Sequence, residues 1–194
     1  MKDLFSVPIW QAKFPDFEKY KDIFLSSTRE YKEKNISVEK SNINGYQTPD
    51  TLQKVKELAP LFQHACAMGL KASHDVGLEE CDIALTGAWA NFNDNPNNCN
   101  MTHIHSDSWS GVFYLKVPEG SGRLRFNNPL MTSMWNVNYL LDDNPSQYVS
   151  QGTSIVPKEG MMVLFPSYLP HSVDPNMHDG ERISISYNLL CMKK

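Results

Sequence analysis

Two histidines and an aspartate, His103, His105 and Asp107, alternate in the stretch HIHSDSWSGVFYL at 103–115, immediately ahead of an apolar run. In an extended chain successive side chains take opposite faces, so these three would project from one side. Imidazoles and a carboxylate converging in this way suit a divalent first-row metal. Two histidines with one carboxylate, leaving coordination positions open, is the arrangement in which non-haem Fe(II) meets oxygen. The complement lies downstream, where PSYLPHSVDP supplies His171 after the apolar run 161–165 and ERISISYN carries Arg182 and Ser184 on an expected strand.

The elements that must hold these residues fall into two parts. Residues 1–80 read as helical cladding plus a first strand in LFSVPIW ending near Trp10. A helix is expected from Asp16 to about Lys34, with Phe17, Tyr20, Ile23, Phe24 and Tyr31 at helical spacing, Asp16 as N-cap and Glu18 behind it. A second helix is expected from about 48–50, carrying Leu52, Val55, Ala59, Phe62 and Cys66 on one face, with a kink or break at Pro60. His64 and His74 lie in this region and read as ordinary helical residues.

Residues 81–194 read as short strands separated by turns. The strands are expected at 83–92, 112–117, 123–126, 154–156, 161–165 and 183–189, with DNPNNCN at 94–100 as a loop delivering His103. Between them, 129–150 is a stretch rich in Met, Trp, Asn and Tyr without periodicity, a candidate lid or recognition loop. A chain of 194 residues suggests one domain spanning 1–194. The fold class is mainly β with flanking helices (α+β), and the core a jelly-roll.

Charge and composition exclude several partner classes. The net charge of −4 comes without a run of Lys or Arg, so no nucleic-acid or anionic-membrane surface is advertised, and a small-molecule or peptide substrate fits better. No stretch approaches the ~20 apolar residues of a membrane span, and the N-terminal residues carry charges where a signal peptide needs its apolar centre. A cytoplasmic location is expected, in the host cytoplasm for a phage-encoded protein. A homo-oligomer is left open. The cysteines Cys66, Cys81, Cys99 and Cys191 form no CxxC, against a zinc knuckle or a disulfide scaffold; Cys99 stands nearest the histidine motif.

The order of a His-x-Asp or His-x-His pair, a distal His and then an Arg resembles the Fe(II)/2-oxoglutarate-dependent oxygenases. The wording SGVFYL, VPKEGMMVLFPSYLPHSV and RISISYN is similar to one branch of that superfamily common in bacteria and marine phages. The resemblance covers the chain from about Trp89 onward and, more weakly, LFSVPIW and Gly45 to Gln47. It implies a double-stranded β-helix of the cupin-like kind, with Fe(II) inside one end and 2-oxoglutarate and O2 as cosubstrates. The implied reaction is decarboxylation of 2-oxoglutarate to succinate and CO2 coupled to oxidation of a substrate, hydroxylation by default.

Two ligand sets compete under this resemblance. The superfamily's commonest pattern assigns His105, Asp107 and His171. The closer branch resembles H-x-H-P-x-S-x-x-S-G, which favours His103, His105 and His171, although Ser106 and Asp107 depart from it. Three of these four residues are therefore expected to bind the metal. The distal carboxylate of 2-oxoglutarate would sit in an apolar barrel and need a cation. Arg182 offers the bidentate match, with Ser184 as a second hydrogen bond and Tyr114 as a third. Trp89, Asn91, Asn93 and Trp109 are candidates for the mouth. The alternatives are a cupin-like metalloenzyme of different chemistry that would not need Arg182, and a metal-free jelly-roll binding or structural protein.

Overall fold

The computed structural model describes residues 5–130 and 150–194. In chain order the elements are β1 (Trp10–Lys13), α1 (Phe17–Glu33), β2 (Asn42–Ile43), β3 (Tyr46–Gln47), α2 (Ala59–Asp75), β4 (Cys81–Phe92), β5 (Cys99–His103) and β6 (Trp109–Lys116). They continue with β7 (Leu124–Asn127), β8 (Gly152–Ile155), β9 (Met161–Pro166), β10 (His171–Val173) and β11 (Ile183–Lys193).

Alternation in β11 decides the layout. Ile183, Ile185, Tyr187 and Leu189 are fully buried on one side, while Ser184, Ser186 and Asn188 take the other. β11 lies inside a six-stranded antiparallel sheet of order β1-β9-β6-β11-β4-β3. The apolar face of that sheet also presents Ala88, Ala90, Phe92, Trp109, Phe113, Leu115, Met162 and Leu164, and the two helices cover it. Phe113 takes edge contacts from Phe14, Phe17 and Phe24 at ring-centroid distances of 5.6, 5.9 and 6.2 Å. Each such pair adds ~0.5–1.5 kcal/mol to the area term. Helix α1 is fixed to the sheet through this cluster.

The opposite face meets a five-stranded antiparallel sheet of order β2-β5-β10-β7-β8. Between the sheets Val112, Val163 and Phe165 pack with Leu124, Phe126 and Ile155, and a cavity lies alongside them. The residues at 42–47 bridge the two sheets at this end, since β2 pairs with β5 while β3 pairs with β4. This is a double-stranded β-helix with two helices on one face.

Several local expectations are corrected. Asp16 does stand at the N-cap of α1, but its backbone is left-handed (φ 53°, ψ 33°) and its side chain makes no capping bond. An N-cap needs extended backbone to reach the first free N–H groups. The second helix begins at Ala59, later than expected, behind two 3-10 turns at Leu52–Lys54 and Lys56–Leu58. Pro60 lies in its first turn, where the missing N–H has no intrahelical partner to lose, so it opens the helix instead of kinking it. The first strand starts at Trp10, where it was expected to end. His171 begins a strand of its own, β10, and the expected loop at 94–100 already enters β5. The candidate lid at 129–150 lies, but for its ends, outside the described residues.

A charge cluster anchors the start of β11. Both carboxylate oxygens of Glu181 accept from the Arg29 guanidinium on α1, and Lys116 at the end of β6 donates to the same group at 3.0 Å. The hydrogen bonds from Arg29, with that from Lys116, hold the Glu181 carboxyl down at about 2 against burial, which raises it. A depressed carboxyl contributes stability that is present above its unfolded value of 4.5 and lost as pH falls toward 2. The partners are partly exposed, so the contribution is on the order of 1 kcal/mol. Glu181→Gln is expected to lower stability by about that much at pH 7, with the difference from the parent shrinking below pH 4; urea titrations at both pH values read it.

Candidate metal centre

His103 and His171 are cross-strand neighbours, paired in register between β5 and β10, and His105 follows two residues after His103 as the chain leaves its strand. The ring centroids are 4.3 Å apart for His103 and His171, 5.0 Å for His103 and His105, and 5.2 Å for His105 and His171. One nitrogen from each ring lies within 4.8 Å of the others, which leaves room for one first-row ion between them.

The orientation of two rings is set by backbone. His103 Nδ1 stands 2.7 Å from the Met101 carbonyl and His171 Nδ1 2.9 Å from the Leu169 carbonyl. A proton on Nδ1 donated to each carbonyl leaves both Nε2 lone pairs free for a ligand. His105 is held by packing, with the Trp89 ring at 5.6 Å, and its main-chain N–H donates to the Ser167 carbonyl at 2.9 Å. Burial pushes His171 down to about 3 and His105 to about 4, with the neighbouring imidazoles acting in the same direction. Both are neutral near pH 7, the form that binds a metal.

Asp107 is not part of this cluster. Its Oδ1 accepts from Thr86 Oγ1 at 2.7 Å, and Thr86 also reaches the Asn188 carbonyl. The expected shared face of His103, His105 and Asp107 fails because regular strand ends at His103. From there the chain crosses to the other sheet, entering β6 at Trp109. Of the four candidate ligands the fold therefore brings together His103, His105 and His171.

The three histidines and Arg182 line one and the same cavity. Arg182 is 1% exposed. Its Nη1 donates to Ser184 Oγ at 3.2 Å, while Nε and Nη2 are buried without a partner. Its guanidinium carbon is 5.5 Å from the centroid of the Tyr114 ring. Ser184 pairs in register with Tyr114 on β6 and with Asn91 on β4, and all three line the cavity. Burial raises the Tyr114 phenol to about 12, with Arg182 pulling the other way, so it keeps its proton as a donor. Among the described lining residues Arg182 is the one cation, and no carboxylate lines the cavity.

Gly111 keeps this wall thin. It pairs with Tyr187, and a Cβ at Gly111 would lie 2.3 Å from the Tyr187 ring. Trp89 and Asn91 belong to the lining, but the other two residues expected at the mouth do not. Trp109 packs edge-on against Trp10 in the core under the helices, donating to Ser73 at 2.9 Å and Cys191 at 3.1 Å; its place in the β6 alternation opposes it to Ser110. Asn93 is 2% exposed, its main chain bonded to Arg182 and Asn176, just past the end of β4. His64 is edge-on to Phe14 and burial lowers it, in keeping with a packing role. Ser186 and Asn188 were not singled out, although continuing the alternation from Ser184 would have found them. Ser41 and Asn100, bonded to each other at 3.1 Å, also line the cavity, and no sequence pattern announces them.

Several solved structures have a similar fold. A prolyl-4-hydroxylase from Pseudomonas putida is 16% identical with a TM-score of 0.64, covering 97% of this chain and 94% of that one. The epimerase SnoN of nogalamycin biosynthesis, in complex with Fe3+, α-ketoglutarate and nogalamycin RO, is 13% identical with a TM-score of 0.68 over 96% and 81%. HygX from Streptomyces hygroscopicus, with nickel, 2-oxoglutarate and hygromycin B bound, is 9% identical with a TM-score of 0.59 over 94% and 82%. These likenesses establish the fold. No curated protein matches the chain by sequence. Residues 87–188, more than half of the chain, match the family described as "Putative 2OG-Fe(II) oxygenase", and the chain belongs to that family of Fe(II)- and 2-oxoglutarate-using oxygenases. The residues present fit such a pair of groups: three imidazoles converge to within a metal's reach, and a buried guanidinium with two unpartnered nitrogens lines the same cavity.

Removing one of three ligands should lower metal affinity by more than the ~10–100-fold seen when an outer partner of a ligand is lost. His103→Ala and His171→Ala are expected to abolish iron retention after anaerobic reconstitution and desalting, while Asp107→Ala retains iron. Metal analysis of the three variants separates the two ligand sets.

Proposed function

We propose that this protein is an Fe(II)- and 2-oxoglutarate-dependent dioxygenase that hydroxylates a small-molecule or peptide substrate, with His103, His105 and His171 as the metal ligands. The observation that carries the proposal is Arg182, a buried guanidinium with Nε and Nη2 unpartnered, in the cavity that the three histidines enter. When bound, Fe(II) supplies the oxygen chemistry, in which 2-oxoglutarate is converted to succinate and CO2 while one oxygen atom reaches the substrate.

The chain's own residues bind, orient and exclude water. Arg182 donates in bidentate fashion, from Nε and Nη2, to the distal carboxylate of 2-oxoglutarate. Ser184, whose Oγ already takes one Arg182 proton, turns its own hydroxyl to the same carboxylate, and the Tyr114 phenol donates from the neighbouring strand. The cross-strand pair Ser184–Tyr114 thus seats the distal end, while Trp89, paired in register with Ser186, packs beside His105. Val112 and Phe165 keep the intervening wall apolar. Substrate would enter beside Trp89. No helix among the described residues is long and apolar enough to cross a membrane.

Among the described residues no carboxylate joins the histidine cluster, which favours one second reading, a three-histidine cupin-like metalloenzyme that uses no 2-oxoglutarate. Arg182 discriminates the two. Removing one partner of a buried charge-assisted pair loses on the order of 2–5 kcal/mol, and ~1.4 kcal/mol is tenfold in affinity. Arg182→Ala is expected to raise the half-saturating 2-oxoglutarate concentration for succinate release at least tens-fold with iron content unchanged. Arg182→Lys is expected to recover only part, because a point charge lacks the bidentate fork. Parental half-saturation in Arg182→Ala would favour the second reading.

A further inference from the structure

Asn91 carries a second unmet demand in the same cavity. It is 6% exposed and lines the wall. Its Nδ2 donates to Ser186 Oγ at 3.2 Å, and its Oδ1 is buried without a partner. A buried acceptor left unbonded is costly, and native folds rarely leave one without a reason. The amide and the hydroxyl can exchange roles. A half-turn of the amide places Oδ1 against Ser186, whose hydroxyl then donates, and turns the NH2 group into the cavity. Asn91 then becomes a donor beside Ser184, its partner in register, on the side opposite Tyr114.

We propose that Asn91 is a cosubstrate-binding residue, its amide NH2 donating to the distal carboxylate of 2-oxoglutarate, with Ser186 holding the amide in that orientation. The inference rests on the cosubstrate reading above and extends it to β4. Three strands then surround one carboxylate: Asn91 from β4, Ser184 with Arg182 from β11 and its approach, and Tyr114 from β6. An anion at this position selects the donor face of the amide, since its oxygen would face the carboxylate in repulsion. The alternative role, an oxygen accepting from a neutral substrate, makes the opposite demand.

The test is anaerobic calorimetric titration of the Fe(II)-loaded protein with 2-oxoglutarate and, separately, with 2-oxobutanoate, which keeps the metal-chelating end and lacks the distal carboxylate. Asn91→Leu, an isostere without hydrogen bonds, is expected to weaken 2-oxoglutarate binding roughly tenfold, the loss of one charge-assisted bond. Asn91→Asp is expected to weaken it further by like-charge repulsion, and Ser186→Ala to weaken it several-fold. None of the three is expected to change 2-oxobutanoate binding, which also certifies that each variant folds and keeps its metal. Equal 2-oxoglutarate affinity in parent and Asn91→Asp, or equal losses for both keto acids, would overturn the role of Asn91 while leaving the cosubstrate reading intact. Absence of 2-oxoglutarate binding to the parent would instead sink the cosubstrate reading itself.

Discussion

A guanidinium buried to 1% exposure, with one hydrogen bond to a serine and two nitrogens unpartnered, makes the heaviest demand on its surroundings among the described residues. Burial works against its charge, and among the described residues no carboxylate lines the cavity to offset it. Desolvating an unpaired cation costs several kcal/mol even after relaxation. A fold that tolerates this is held there by something else. Here the neighbouring Glu181 is tied to α1 and β6, so the residue before Arg182 is fixed on the outside while Arg182 turns inward. The aromatic face of Tyr114 supplies part of the missing solvation. On the proposed reading a carboxylate-bearing cosubstrate would supply the rest, its binding strengthened by meeting a demand already built into the folded chain.

The same economy shapes the sheet. One face is a continuous apolar surface under α1 and α2, which provides the stability that lets the other face carry serines, asparagines and an arginine. Two of the three histidines come from adjacent strands of the opposite sheet, so their separation is a strand-pairing distance and not a loop conformation. Their Nδ1 atoms are occupied by carbonyls two residues earlier in the chain, so ring orientation is written into the local backbone. The histidine cluster is thereby preorganised by sheet geometry, with the Trp89 ring packed beside His105 and the Phe165 ring beside His171.

Much of this was legible beforehand. Period-two alternation in 183–189 identified β11 and put Ser184 beside Arg182, and the opposed Tyr114 followed from the SGVFYL strand. Spacing alone could not choose between His103 and Asp107, because that choice depends on where the strand ends: regular pairing stops at His103 and the chain crosses between sheets before Asp107. Trp109 was misplaced for a related reason. Its face is fixed by the register of β6 against β11, a long-range property that an indole in a motif does not reveal. Pro60 read as a helix breaker because the helix start was placed too early; tertiary packing of the 3-10 turns, not local propensity, delays it. The strap at 42–47, which joins both sheets, has strands of two residues each, too short for any periodic signal.

The arrangement of three histidines facing a buried arginine is tested most directly by anaerobic addition of 2-oxoglutarate to the Fe(II)-loaded protein, followed in the visible region. Chelation of Fe(II) by the keto acid is expected to produce a weak metal-to-ligand charge-transfer band that saturates with one 2-oxoglutarate per iron and is absent with succinate. Retention of iron without any such band would contradict the assignment of this cavity as a 2-oxoglutarate site.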